Sequence, residues 1–147
     1  METVLENTLP VGKPKWLKVK LPIGQKYTEL RGLVDKYSFM NIKHAVITSV
    51  DRDDLKDGGS IIWIETVKAI RRMNPTTTLE TLIPDFQGIE RNIDRIVEAN
   101  PEVVSHNVET VRRLTREVRI QAKYDRSLEV LRYLKEKGIN RTKSGIM

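Results

Sequence analysis

The feature that most constrains the fold of this chain is a short apolar run that ends abruptly in an acidic loop and then a helix. Residues 43–50 are rich in β-branched side chains, which is typical of a strand buried on both faces of a parallel sheet. Four aspartates and an arginine follow, and two glycines close the loop before a helix predicted from about residue 60. In parallel α/β folds, ligands bind at the loops after the carboxyl ends of the strands. The sequence therefore predicts a ligand-binding surface at this loop.

The same order of strand, loop and helix recurs at spacings of about 25 to 40 residues, the pattern of βα units around a parallel sheet. Strands are predicted at 43–50, 77–84, 102–106 and 140–147. Helices are predicted at 27–37, 60–74, 89–100 and 125–137, the last with Leu128, Leu131 and Leu134 facing inward. Because four strands cannot close an eight-stranded barrel, the predicted fold is α/β, an incomplete (β/α) barrel with a parallel sheet of about four strands.

The first 24 residues are predicted to form an irregular N-terminal arm. Pro10, Pro14 and Pro22 interrupt any regular element, while apolar and lysine residues alternate over 15–21 with the period of an edge strand. The predicted organisation is therefore an arm at 1–24 and a partial barrel domain at 25–147.

Composition and charge narrow the classes of function. The chain has 147 residues, 31% of them charged, and a net charge of +6. It contains no apolar run near the roughly 20 residues that a membrane helix needs, and nothing resembling a signal peptide, so we expect a cytoplasmic protein without a membrane partner. A basic surface fits an anionic ligand, an acidic protein partner or simply solvent. Only 5% of residues are aromatic, which argues against nucleic acid because base stacking needs aromatic side chains.

The sequence contains no cysteine. This excludes disulfides, thiolate nucleophiles and cysteine-ligated iron–sulfur clusters from the chain itself.

Two polar loops are expected to meet at the carboxyl edge of the sheet. One is the acidic loop, which could bind a divalent cation, an ammonium group or a ribose, or could simply cap the next helix. The other contains His106, Asn107 and Glu109, which suit a ligand with both donors and acceptors, although a histidine here could equally be a structural hydrogen-bonding partner. Arg119 and Arg126 could bind a carboxylate or phosphate, or face solvent.

Five stretches together closely resemble lipoyl synthase, a family of radical S-adenosylmethionine (SAM) enzymes. They are KPKWLKVKLP (13–22), ITSVDRDDLKDGG (47–59), TLETLIPDFQG (78–88), HNVETVRRL (106–114) and TKSGIM (142–147). The resemblance implies a partial (β/α) barrel that inserts two sulfur atoms into octanoyl groups on lipoyl-carrier proteins. It implies SAM and two 4Fe–4S clusters as cofactors, and octanoylated lipoyl-carrier domains or glycine cleavage H protein as partners.

The resemblance also shows what this chain lacks. Family members carry two cysteine triplets and the first barrel strand in a stretch that is missing here between residues 37 and 43, and they continue beyond Met147 with further strands and a cluster-ligating serine. We therefore expect an internally deleted and C-terminally truncated chain that does not insert sulfur. We predict no catalytic residue in it. The alternatives are a non-catalytic binding module for SAM or lipoyl-carrier domains, and a remnant without function.

The resemblance implies that part of the SAM site remains. The residues expected near the methionine end of SAM lie in the acidic loop: Asp51, Arg52, Asp53, Asp54, Gly58 and Gly59. His106, Asn107 and Glu109 are expected near its ribose and amino group. Arg119 is the candidate for its carboxylate.

Overall fold

A parallel β-sheet forms the centre of the computed structural model, which describes residues 16–20, 42–119 and 121–146. Its strands are β1 (Trp16–Lys20), β2 (His44–Thr48), β3 (Thr78–Leu82), β4 (Val103–Ser105) and β5 (Thr142–Lys143). They are hydrogen-bonded side by side in the order of the chain, and every pair is parallel. The predicted α/β fold with an open parallel sheet is confirmed. The predicted edge strand of the arm adds a fifth strand to it.

In the described part of the chain, four helices follow strands β2 to β4: α1 (Ser60–Met73), α2 (Glu90–Ala99), α3 (Thr115–Val118) and α4 (Tyr124–Glu136). Two single 3₁₀ turns, at Phe86–Gly88 and Arg112–Leu114, complete the described elements. The short α3 was not predicted, and the helix predicted at 27–37 lies outside the described residues. No helix in the described part of the chain is both long enough and apolar enough to cross a bilayer.

The hydrophobic core lies between one face of the sheet and the helices. Side chains alternate along a strand, so Ile47, Leu79 and Val104 point to the same face and are buried. They belong to one cluster with residues of the helices, among them Trp63, which is 2% exposed as expected for a packing residue, and Leu134. The sheet thus needs its helices on this face to be stable.

The inward face of α4 differs from the prediction. Ser127, Val130 and Leu134 are the buried residues of this helix, whereas Leu128 is 41% exposed. The prediction for Leu128 is therefore wrong. Ser127 can be buried because its hydroxyl is hydrogen-bonded to His106 at 2.9 Å. A pattern of apolar residues does not predict a buried position of this kind.

His106 joins three elements at the end of β4. It is 3% exposed, and its Nδ1 lies 3.0 Å from the carbonyl oxygen of Ile83 while its Nε2 lies 2.9 Å from the hydroxyl oxygen of Ser127. A carbonyl can only accept, so Nδ1 carries the proton and Nε2 accepts from the Ser127 hydroxyl. Burial is the largest cause that lowers the pKa of His106 below its usual value. The imidazole is therefore held neutral, as a structural link between β3, β4 and α4.

Acidification is expected to destabilise the protein through His106. Below about pH 6.5 the histidine of the unfolded chain takes up a proton that the folded chain does not, so the free energy of unfolding falls as the pH is lowered. Between about pH 7.5 and 5.5 this contribution is at most about 1.4 kcal/mol. Urea denaturation followed by circular dichroism measures it, and the variant His106→Gln should lose this part of the slope. An unchanged pH dependence in the variant would contradict the assignment.

Candidate functional site

A polar cleft of about 550 Å³ lies at the carboxyl edge of the sheet, within the usual size range of small-molecule sites. The parallel register places Thr48, Leu82 and Ser105 in one row at the strand ends. The loops that leave β2, β3 and β4 therefore start side by side. Together with residues 121–123 and Arg126 of α4 they form the walls.

Six of the ten residues predicted from the sequence line this cleft. They are Asp51, Asp53, His106, Asn107, Glu109 and Arg119. The two polar loops therefore meet at one edge, as the parallel sheet requires.

The other four predicted residues lie away from the cleft lining. Arg52 and Asp54 form a two-point ion pair with each other, with nitrogen–oxygen distances of 2.8 and 2.7 Å. Gly58 has a φ of +58°, and a Cβ there would lie 3.0 Å from the ring of Phe86. Gly59 has a φ of +79° and directly precedes α1. The two glycines are thus explained by a tight turn, and a binding role for these four residues remains a prediction.

Asp57 caps α1 from the same loop. Its carboxylate accepts hydrogen bonds from the backbone nitrogens of Ile61, at 2.9 Å, and Gly59, at 3.3 Å. Burial by itself raises the pKa of Asp57, but these backbone hydrogen bonds lower it overall. The helix-capping alternative therefore describes Asp57, while Asp51 and Asp53 face the cleft.

Ion pairs and hydrogen bonds hold the cleft walls in place. Arg126 of α4 donates to Asp85 at 3.0 Å, and both side chains are mostly buried. Gln87 donates to Asp53 at 3.1 Å and so ties the loop after β3 to the acidic loop. These contacts cross between elements that are far apart in sequence. The cleft is therefore largely formed before any ligand arrives.

Asp51 is the acidic residue whose ionisation the cleft perturbs. Partial burial at the cleft wall raises the pKa of its carboxyl group, and the negative charges of Asp53 and Asp85 raise it further, while Arg119 and His106 act in the opposite direction. An arriving cation would favour the ionised form of this carboxylate. Asp51 is thus suited to a positively charged ligand group.

Arg119 has one side-chain nitrogen bound by the protein itself. Its Nη1 donates to the carbonyl oxygens of Asn107 and Val108 at 3.2 and 3.3 Å. Among the described residues, no hydrogen bond uses its other guanidinium nitrogens. Arg119 can therefore anchor the loop after β4 and still offer donors to a carboxylate.

Sequence reasoning missed the wall contributed by the loop after β3. Asp85 and Gln87 line the cleft, although neither is among the residues predicted from the sequence. The position of this loop at the exit of a predicted strand was the signal that could have identified them. Arg126, considered as an anion binder, is instead paired with Asp85.

Among the described residues, the polar side chains of the cleft that are available to a ligand include Asp51, Asn107 and Glu109. Among the described residues, no hydrogen bond uses the carboxylates of Asp51 and Glu109 or the side-chain amide of Asn107. They offer acceptors together with amide donors, and Arg119 supplies a cation. This combination fits a small molecule that carries an amino group, hydroxyls and a carboxylate.

The donor set does not fit an iron–sulfur cluster. Such clusters are held by cysteine thiolates, in some cases with histidines, and the chain has no cysteine. Within 16–20, 42–119 and 121–146, no three His, Asp or Glu side chains are grouped so that they could hold a metal ion instead.

Comparison with known proteins gives a consistent family. The radical SAM superfamily matches residues 25–147. The lipoyl synthase of Flavobacterium johnsoniae is 66% identical over all of this chain and 72% of its own length. The mitochondrial lipoyl synthase of Nematostella vectensis is 56% identical, again over all of this chain and 72% of its own length.

The alignment lengths also show that these relatives contain residues that this chain lacks. The alignment with the Flavobacterium johnsoniae protein spans 208 positions, whereas the chain has 147 residues, a difference of 61. Since the whole chain is covered, these positions fall within the aligned span, as an internal deletion requires. The superfamily match and the high identity along the full chain lead to one conclusion: the chain belongs to the lipoyl synthase family of the radical SAM superfamily.

Proposed function

We propose that this chain is a lipoyl synthase family protein that binds SAM in the cleft but does not insert sulfur by itself. The observation that carries the proposal is the mixed polar lining around Asp51, Asn107, Glu109 and Arg119 in a chain without a thiolate. The amino acid and ribose groups of SAM need such a lining. Sulfur insertion needs a reducible iron–sulfur cluster as a cofactor, because side chains alone supply neither the electrons nor the sulfur.

Each part of the cleft has a role in this proposal. The carboxylates of Asp51 and Asp53 face the positively charged amino and sulfonium groups. Asn107 and Glu109 exchange hydrogen bonds with the ribose hydroxyls, and the guanidinium nitrogens of Arg119 other than Nη1 donate to the ligand carboxylate. His106 supports this wall by packing, since both of its ring nitrogens are already bound. In the family, the cluster iron also binds the amino and carboxylate groups, so we expect weak affinity here.

Removing the charge of Asp51 is expected to weaken SAM binding about tenfold. A hydrogen bond to a charged group contributes roughly 1.5–3 kcal/mol, and 1.4 kcal/mol corresponds to a factor of ten. Isothermal titration calorimetry of Asp51→Asn measures this change. The matched control is Glu98→Gln, which removes the same charge from an exposed pair with Lys68 between α1 and α2. No binding to the unaltered chain at millimolar SAM, or equal affinities for all three proteins, would contradict the proposed cleft.

The chain is expected to remain without clusters after anaerobic reconstitution with iron and sulfide. No cysteine is present to hold them. Iron and acid-labile sulfide, counted after gel filtration, should be far below one cluster per chain. A cysteine-ligated ferredoxin treated in parallel serves as the positive control. A stoichiometric cluster in the chain would overturn the claim that it cannot insert sulfur.

A second candidate function is docking of an acidic lipoyl-carrier domain without catalysis. The observation that favours it is an exposed basic surface beside the cleft, made of Arg113 and Arg116 with the exposed apolar side chains of Val111 and Val118. Neither arginine forms an ion pair with another described residue. Arg119, one position after α3, lines the cleft, so a carrier domain bound to the basic surface would lie next to the cleft.

Cytoplasmic location remains a prediction.

Reversing two charges on this surface tests the docking function. The double variant Arg113→Glu/Arg116→Glu should bind octanoylated glycine cleavage H protein at least about fivefold more weakly at low salt, because charges at the rim of an interface steer and hold an oppositely charged partner. Biolayer interferometry across a salt series measures this. The control is Arg72→Glu/Arg91→Glu, with the same charge change on exposed positions of α1 and α2. Equal binding by both double variants would count against this surface.

A further inference from the structure

The end of β5 lies against the loop that carries Asn107. The carbonyl oxygen of Gly145 accepts hydrogen bonds from the backbone nitrogens of Val108 and Glu109, at 3.1 and 3.0 Å. Just before it, the backbone nitrogen of His106 donates to the carbonyl oxygen of Lys143 at 3.0 Å. These bonds fix the position of Gly145 relative to the cleft wall.

Gly145 leaves space that the side chain of Asn107 occupies. A Cβ at this position would lie 2.9 Å from Oδ1 and 3.2 Å from Cγ of Asn107. The φ angle does not explain the glycine, because Gly145 is not among the glycines with positive φ. The close approach of the Asn107 amide is therefore the feature that requires glycine here.

No hydrogen bond from the described part of the protein fixes the side chain of Asn107, which is half-buried. Its backbone carbonyl is held by Arg119 at 3.2 Å, but no hydrogen bond among the described residues uses its amide. A methyl group on residue 145 would therefore be accommodated by rotation of the Asn107 side chain and not by movement of the loop. The direction of the amide in the cleft depends on contact with Gly145.

We propose that Gly145 is a positioning residue that directs the Asn107 amide toward the ligand in the cleft. The ligand group is one that both donates and accepts hydrogen bonds, such as a pair of sugar hydroxyls, because the amide offers one acceptor and two donors. This inference rests on the proposed binding of SAM. It adds a specificity device in the segment after β5 that acts on a side chain in the loop after β4.

A double-mutant cycle tests the coupling. Gly145→Ala should weaken SAM binding about fivefold while the melting temperature changes little. In the Asn107→Ala background, where Oδ1 and Cγ are absent, Gly145→Ala should change the affinity no further. An equal loss in both backgrounds would show that Gly145 does not act through Asn107 and would overturn the inference.

A control variant separates binding from stability. Gly138 has a φ of +92° and no atom within 4 Å of a Cβ placed there, and it follows α4 away from the cleft lining. Gly138→Ala should therefore lower the melting temperature through backbone strain and leave SAM affinity unchanged. If both variants lose SAM affinity in proportion to their loss of stability, the effect of Gly145→Ala is structural and the inference fails.

The side-chain amide of Asn107 gives a readout that needs no ligand. Its NMR signals, assigned by their absence in Asn107→Ala, should shift in Gly145→Ala and stay in place in Gly138→Ala. Unshifted signals in Gly145→Ala would overturn the positioning role. If the unaltered chain binds no SAM, the proposed function fails while the amide signals still decide whether Gly145 orients Asn107.

Discussion

The parallel hydrogen-bonding register of the central strands is the constraint on which the rest of this structure depends. Thr48, Leu82 and Ser105 are aligned across β2, β3 and β4, so three exit loops leave the sheet at the same level. The same register sends Ile47 and Val104 toward the helices, where they are buried. One set of backbone bonds thus positions both the core and the cleft.

Polar groups in the interior of the fold differ from those in the cleft in their hydrogen bonding. Inside the fold, His106 is bound by Ile83 and Ser127, and the carboxylate of Glu80 is bound by Ser105 at 2.6 Å and Lys143 at 3.0 Å. The hydroxyl of Thr81 is the exception among the described residues, since it is buried without a partner. Burial raises the pKa of Glu80, but these partners lower it overall. In the cleft, by contrast, the carboxylates of Asp51 and Glu109 and the amide of Asn107 have no hydrogen-bonding partner among the described residues, so they are available to a ligand.

The chain therefore combines a family fold with an incomplete set of chemical groups. The family's reaction depends on a cofactor whose reactivity the protein only positions and tunes. Without thiolates, the side chains that remain can bind, orient and neutralise charge, but they cannot supply electrons or sulfur.

Local sequence patterns are sufficient to predict the class of fold, the edge of the sheet at which the cleft lies and the absence of cluster ligands. Strand and helix periodicity is a local property, and the parallel arrangement then places all exit loops at one edge. Tertiary structure decided which polar residues face the cleft. Asp51 and Asp57 look alike in the sequence, yet one lines the cleft and the other caps α1. Arg126 is paired with Asp85, both ring nitrogens of His106 are hydrogen-bonded, and a Cβ at Gly145 would meet Asn107, 38 positions earlier. Such pairings depend on distances between residues that are remote in the chain, and sequence periodicity contains no information about those distances.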